Sequence, residues 1–324
     1  MFAPFQLTEK VNTALAALSF PAQPEGLYEP VSYALAMGGK RLRPVLLLMA
    51  YSLYRDDMDQ AMPAALALEI YHNHTLLHDD LMDHADLRRG HPTVHRKWNA
   101  NTAILSGDVM LILAFRQLAA CSLPSASAAL RYFVQATAWV CEGQQMDMIF
   151  ESRTDVSEAE YIEMIRLKTS VLLAAGARMG ALLADAPEAE VEALTSFAEK
   201  VGLAFQLQDD YLDVYGDPAL FGKHIGGDIL CGKKTFLLIT ALARADARQR
   251  ARLLRLLADT DIAPERKIAE VTELYDELAV ADACRAAIDR FYAEARTYLD
   301  MLPEHREGKA ALWAFAASLL GRKA

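Results

Sequence analysis

Three aspartates at the close of one apolar run set the chemistry open to this chain. Leu66 to Leu77 contains no Gly or Pro, reads as a helix, and runs into His78-Asp79-Asp80-Leu81-Met82-Asp83. On a helix Asp79 and Asp83 share a face four residues apart, and Asp80 and Asp83 lie three apart. Like charges at these spacings repel by roughly 0.2–0.5 kcal/mol per pair, so a helix gains nothing by stacking them unless a cation joins them. The arrangement recurs far downstream as Gln208-Asp209-Asp210-Tyr211-Leu212-Asp213. Together the two DDxxD patterns read as jaws around something positive. A hard divalent ion such as Mg²⁺ fits, since it prefers oxygen ligands and bridges a few carboxylates to phosphates. One such cluster alone reads equally well as a solvated acidic face. Two, each beside an apolar helix interior, favour the metal, with Asp86 an exposed or supporting group.

Cations lie close to both clusters. Lys40, Arg41 and Arg43 follow Gly38-Gly39, Arg88-Arg89 follow the first acids, and Lys223, Lys233 and Lys234 follow the second. Each alone is a surface charge. Beside metal-binding acids they suit a polyanion, the metal neutralising some phosphate oxygens and Arg and Lys taking the rest. The Gly-rich loop holding Lys223 and Asp228 could close over such a ligand. Polar residues also interrupt apolar helices: His72, Gln144, Asp147, Lys168-Thr169 and Gln206, the last on the face of Asp209. Any one of them taken alone is better read as a hydrogen-bonded core residue. His74, His78, His84, His91 and His95 do not form HExxH, and oxygen donors dominate nearby, so zinc is not expected.

Helical periodicity covers most of the chain. Stretches run from about 7 to 18, 27 to 37, 45 to 54, from Pro63 into the first acid cluster, 101 to 118, 126 to 150, 158 to 183, 191 to 215, 235 to 258, beyond Pro264, 279 to 302 and 309 to 320. Residues 221–234 read as a loop, and no polar–apolar alternation supports strands. The expectation is an all-α protein, one domain over residues 1–324, a single bundle of roughly ten or more helices around an apolar cavity. With 53% hydrophobic residues among 324, the core can be large. A net charge of -10 argues against nucleic acid. The four cysteines lack metal or disulfide spacing, which suits a reducing cytoplasmic compartment. No basic segment leads an apolar one at the N-terminus, so no signal peptide is expected. No uncharged run spans a membrane, Thr169–Ala184 containing Arg178, so a soluble protein is expected.

The ordered motifs, from Gly38-Gly39-Lys40-Arg41-Leu42-Arg43-Pro44 through Leu77 to Asp83 with Arg88-Arg89-Gly90, Gly143-Gln144-Gln145-Met146-Asp147, Lys168-Thr169, Phe205 to Asp213 and Gly222-Lys223, resemble the trans-isoprenyl diphosphate synthases, the polyprenyl synthetases. The likeness runs in the family's order over residues 31–240. It implies the isoprenoid synthase fold, a homodimer, and 1'-4 condensation of isopentenyl diphosphate with an allylic diphosphate through an allylic cation, assisted by three Mg²⁺ ions. Asp79, Asp83 and Asp209 match the metal ligands, with Asp210 and Asp213 nearby. Asp79, Asp83, Asp209, Lys168 and Arg88 match the groups that promote departure of the diphosphate. Lys40, Arg43, His72 and Arg89 match the isopentenyl diphosphate site. Arg88, Lys168, Thr169, Gln206, Lys223 and Lys233 match the allylic diphosphate site. Between Lys223 and Asp228 the chain carries one residue more than the family's usual spacing, a departure that bears on Lys223 and Lys233.

Product length is expected to depend on residues before Asp79. In the family a bulky side chain five positions earlier stops growth, and here the floor would be His74, Thr75 and Tyr71. The Gly143 motif also resembles the short-chain enzymes, so a C15 or C20 product is expected, with longer chains the alternative. A terpene cyclase or squalene/phytoene-type synthase would also ionise allylic diphosphates, but would not need the Lys40/Arg43 site. A non-catalytic subunit would be expected to have lost an acid motif, and both are complete.

Overall fold

The computed structural model describes residues 3–217, 225–303 and 308–320 of the chain. Lys223 and the terminal Arg322-Lys323 lie outside the described residues. Helices α1 (Pro4–Ala16), α2 (Glu29–Ala36), α3 (Leu42–Tyr51), α4 (Met62–Met82), α5 (Val94–Lys97), α6 (Ala100–Ala119), α7 (Ala126–Glu151), α8 (Glu158–Ile165), α9 (Val171–Leu183) and α10 (Glu188–Tyr215) come in order. Further helices span Gly227–Cys231, Phe236–Arg244, Ala247–Ala258, Pro264–Glu277, Val280–Asp300 and Lys309–Leu320. The fold is all-α, as the periodicity implies.

Local chemistry sets the boundaries. Proline occupies the first turn of α1, α2 and α4, where its missing N–H has no intrahelical partner to lose. Ser157 and Glu160 form a capping box at the start of α8. Several details differ from the expectation, one being a short helix, Gly227–Cys231, inside the stretch read as a loop. A two-rung antiparallel ladder pairs Leu87 with Pro92 and Arg88 with His91. Its turn, Arg89-Gly90, has positive φ at both residues, 54° and 78°, as a tight hairpin of the mirror-image kind requires. The stretch expected as one helix over 158–183 contains a π-helical turn, Arg166–Ser170. The stretch 235–258 is two helices, because Ala245 is extended and Asp246 caps the second through the N–H groups of Arg248 and Gln249.

The described residues group into two compact units. One draws on Met1–Gln135, Ala175–Thr195 and Leu302–Leu312. In it α4 packs along α6 and against α3, around wholly buried residues such as Leu7, Val45, Leu48, Leu68 and Phe133. By length and composition alone α6 reaches what a membrane span needs, although Asp108 and Arg116 lie within it. Its Ala103, Ser106, Gly107 and Met110 are buried. The other unit draws on Ala136–Ala174, Ser196–Met301 and Trp313–Ala324, and its core includes Ile165, Leu207, Leu238, Leu253, Leu274 and Phe291.

Candidate active site

The first unit holds the first acid cluster at the C-terminal end of α4. Asp79 is half-buried and Asp83, the residue that ends the helix, is exposed. Asp80 has turned inward and is 4% exposed. Arg88, from the hairpin, grips it with Nε 2.8 Å from both carboxylate oxygens and Nη2 2.7 Å from Oδ1. Burial pushes the Asp80 carboxyl up to about 6 against the pull of Arg88. The acids of this cluster therefore play different parts. Asp80 anchors the hairpin, while Asp79 and Asp83 lie nearer solvent.

The basic cluster divides in the same way. Arg41 takes the left-handed conformation, φ 50°, and is buried. Its Nη1 meets Glu69 Oε1 at 2.6 Å, Nη2 donates to Leu35 O and Nε to Asn12 Oδ1. Asn73 Nδ2 donates to the same Glu69 oxygen at 3.0 Å. Arg41 thus ties α1, α2 and α4 together, and Lys40 beside it is exposed. Arg43 Nη1 donates to His72 Nε2 across 3.1 Å. Guanidinium only donates, so that nitrogen of His72 accepts and the ring is uncharged. Burial and then the charges of Arg43, Arg89, Arg88 and Arg41 hold the imidazole far below its usual range. Burial also lowers Arg43, to about 10, which still leaves it charged at neutral pH. Among the described residues, Arg43 Nε is a buried donor with no hydrogen-bond acceptor. An anion's oxygen would satisfy it. Close helix packing fixes its backbone, since a Cβ at Gly176 would come 2.8 Å from Arg43 O.

Arg89 Nη1 donates to Gly38 O. A Cβ at Gly39 would lie 2.7 Å from Arg89 Nη2, and Gly39 takes φ 135°, a conformation that glycine adopts without strain. The expected chain-length residues, at i, i+3 and i+4, lie along one side of α4. His74 reaches α6: its ring lies 5.5 Å from Tyr71 and its Nδ1–H donates to Gly107 O at 2.9 Å. Tyr71 is wholly buried against Phe133. Thr75 instead donates to His72 O.

In the second unit the π-helical turn supplies Lys168 and Thr169. Glycines on two helices admit it: a Cβ at Gly143 would lie 2.7 Å from Lys168 Cα, and one at Gly202 would lie 2.9 Å from Ser170 Cα. One turn beyond Gly143, Asp147 Oδ2 meets Lys168 Nζ at 2.6 Å. This explains the spacing of the Gly143-to-Asp147 motif: the glycine admits the turn and the aspartate holds its lysine. Thr169 donates to Gln206 Oε1 at 3.0 Å, and Gln206 Nε2 donates to Asp210 Oδ1 at 3.1 Å. Tyr161 OH also donates to Asp210. Asp210, like Asp80, is turned inward, 3% exposed. Burial and then the charge of Asp228 raise it to about 7, opposed by Tyr161 and Lys233. Asp213 Oδ2 accepts the Asp228 N–H at 3.0 Å, which ties the start of the short helix Gly227–Cys231 to α10. Asp209 is half-buried and Lys233 exposed.

The middle aspartate of each cluster is thus part of the scaffold. Asp79 and Asp83 in the first unit, and Asp209 in the second, lie outside that scaffold role, and each carboxylate is a hard oxygen donor. The sequence analysis missed Glu69, which its place as a lone acid in the apolar run before Asp79 could have marked, and Tyr161, whose partner lies 49 residues away.

The polyprenyl synthetase family model matches residues 24–277. A short chain isoprenyl diphosphate synthase of Methanocaldococcus jannaschii is 44% identical over 249 residues, 76% of each chain. A geranylgeranyl diphosphate synthase of Methanosarcina mazei is 40% identical over 72% of this chain and 73% of its own. A crystal structure of a geranylgeranyl pyrophosphate synthase superposes over the whole of both chains with a TM-score of 0.94 and 41% identity.

Proposed function

Since this chain belongs to the polyprenyl synthetase family, we propose that it is a trans-prenyltransferase of isoprenoid biosynthesis. It joins isopentenyl diphosphate head to tail, 1'-4, to dimethylallyl, geranyl or farnesyl diphosphate and releases an all-trans product of the C15–C20 class. The observation that carries this reading is the buried Arg43 donor lacking an acceptor, beside a neutral His72 and near Arg89. It fits a diphosphate other than one bound through metal, and a cyclase has no use for it.

Asp79, Asp83 and Asp209 would hold Mg²⁺, three ions in this reading, which supplies charge neutralisation to the allylic diphosphate as it leaves. Arg88, Lys168, Thr169, Gln206 and Lys233 orient that diphosphate, with Lys223 from outside the described residues. Arg88 and Lys168 are pre-set for this by Asp80 and Asp147. Lys40, Arg43, His72 and Arg89 hold isopentenyl diphosphate. His72 has its proton on Nδ1 and contributes direction rather than charge. The double bond of isopentenyl diphosphate attacks the allylic cation, and the departing diphosphate takes the proton then lost. Apolar surroundings keep water from the cation.

We also place the protein in the cytoplasm, in keeping with its four free cysteines, and as a homodimer. On α6, Ile112 and Leu105 are 65% and 57% exposed, an apolar face of the kind a second copy covers. Incubation with isopentenyl and dimethylallyl diphosphates and Mg²⁺ tests the activity. An elongated prenyl diphosphate supports it; a cyclised hydrocarbon, or no reaction, overturns it.

A further inference from the structure

We propose that Tyr33 is a positioning residue for this reaction: through Pro92 it sets the turn that presents Arg89. The inference rests on the reading of Arg89 as a diphosphate ligand. The turn belongs to a ladder of two residue pairs, Leu87 with Pro92 and Arg88 with His91, and so short a ladder does not hold itself in place. Thr93 closes its base on Ala85 O and Asp86 O, and two helices hold its turn. On one side Asp80 of α4 clamps Arg88. On the other, α2 and the residues after it take hold twice. Arg89 donates to Gly38 O, and the Tyr33 hydroxyl donates to Pro92 O at 2.8 Å.

Tyr33 is itself held by the chain that follows the hairpin. Trp98 packs edge-on against its ring with centroids 5.2 Å apart. Lys97 Nζ sits 3.8 Å above the Tyr33 ring centroid and 4.7 Å from that of Trp98. Those contacts need an aromatic ring, and phenylalanine would keep them. The hydroxyl adds the bond to the hairpin. Arg88 keeps its grip on Asp80 whether or not Tyr33 bonds Pro92. Arg89 leans on Gly38, at the end of the helix that carries Tyr33, so loss of the hydroxyl falls on Arg89 and on isopentenyl diphosphate.

The test is Tyr33→Phe, with both substrates varied in steady state and isopentenyl diphosphate binding followed by calorimetry without the allylic partner. One hydrogen bond corresponds to about a fivefold change, so KM and Kd for isopentenyl diphosphate rise about fivefold. The allylic KM, kcat and the thermal midpoint stay close to those of the unaltered protein. In the double variant with Arg89→Lys, the two effects are less than additive, because the hydroxyl acts through Arg89. Unchanged isopentenyl diphosphate binding in a folded Tyr33→Phe protein overturns the proposal, as does full additivity, or a loss confined to kcat or to thermal stability. If the unaltered protein neither binds isopentenyl diphosphate nor elongates an allylic diphosphate, the functional reading itself has failed.

Discussion

Asp79 and Asp80 are neighbours with opposite fates. Asp80 is buried on Arg88, whereas Asp79 stays half-buried at the helix end; Asp210 and Asp209 repeat the division. Asp79→Ala and Asp209→Ala are therefore expected to cut Mg²⁺-dependent turnover by orders of magnitude and to leave circular dichroism and cooperative unfolding unchanged. Near-normal turnover in both would sink the metal assignment. Which acid of each pattern turns inward was not legible, because the deciding partners are a hairpin arginine and a tyrosine on another helix. His74 offers a pH test. Burial lowers it to about 4, below the usual 6.5, so it is neutral in the folded protein over a range where the unfolded chain binds a proton. Its contribution to stability is whole above about pH 6.5 and shrinks as pH falls towards 4, by on the order of 3 kcal/mol at most. Asp80 and Asp210, raised by burial, act in the opposite sense. The informative quantity is thus the midpoint difference between the unaltered protein and His74→Gln. That difference should shift in favour of His74→Gln between pH 6.5 and 4, and a constant difference would contradict the assignment.

At the scale of elements, long amphipathic helices were legible because their period repeats over many turns. The hairpin was not, since two residues per strand show no alternation. The π-helical turn escaped notice because it shifts the period by one residue, though Gly143 and Gly202 mark where a neighbour comes close. Arg41 and Arg43 looked alike in sequence. The first became a helix tie on Glu69, while the second kept a buried donor with no acceptor among the described residues. Helix α4 also carries the expected chain-length residues, with His74 bonded to Gly107 and Tyr71 packed on Phe133. If these side chains stop the growing tail, His74→Ala or Tyr71→Ala lengthens the product by one or more isoprene units, as chromatography of the dephosphorylated alcohols would reveal. Unchanged product length in both variants would remove Tyr71 and His74 from the floor.

For the molecule as a whole, the apolar face of α6 bears on assembly. Ile112→Glu is expected to shift the mass measured by light scattering from a dimer to a monomer at micromolar concentration; a dimer that persists places the contact elsewhere. The same sequence that made the family recognisable left the assembly open, because an exposed apolar helix face reads like any half-buried one until the neighbours are known. Every role assigned above depends on two diphosphates meeting here and a longer one leaving. The most direct measurement supplies labelled isopentenyl diphosphate with dimethylallyl, geranyl or farnesyl diphosphate in turn, with Mg²⁺, and sizes the products. Labelled all-trans C15–C20 prenyl diphosphates are expected, and they should disappear when the metal is chelated. Label that stays in isopentenyl diphosphate with every primer, or enters a cyclised hydrocarbon, would contradict that reading.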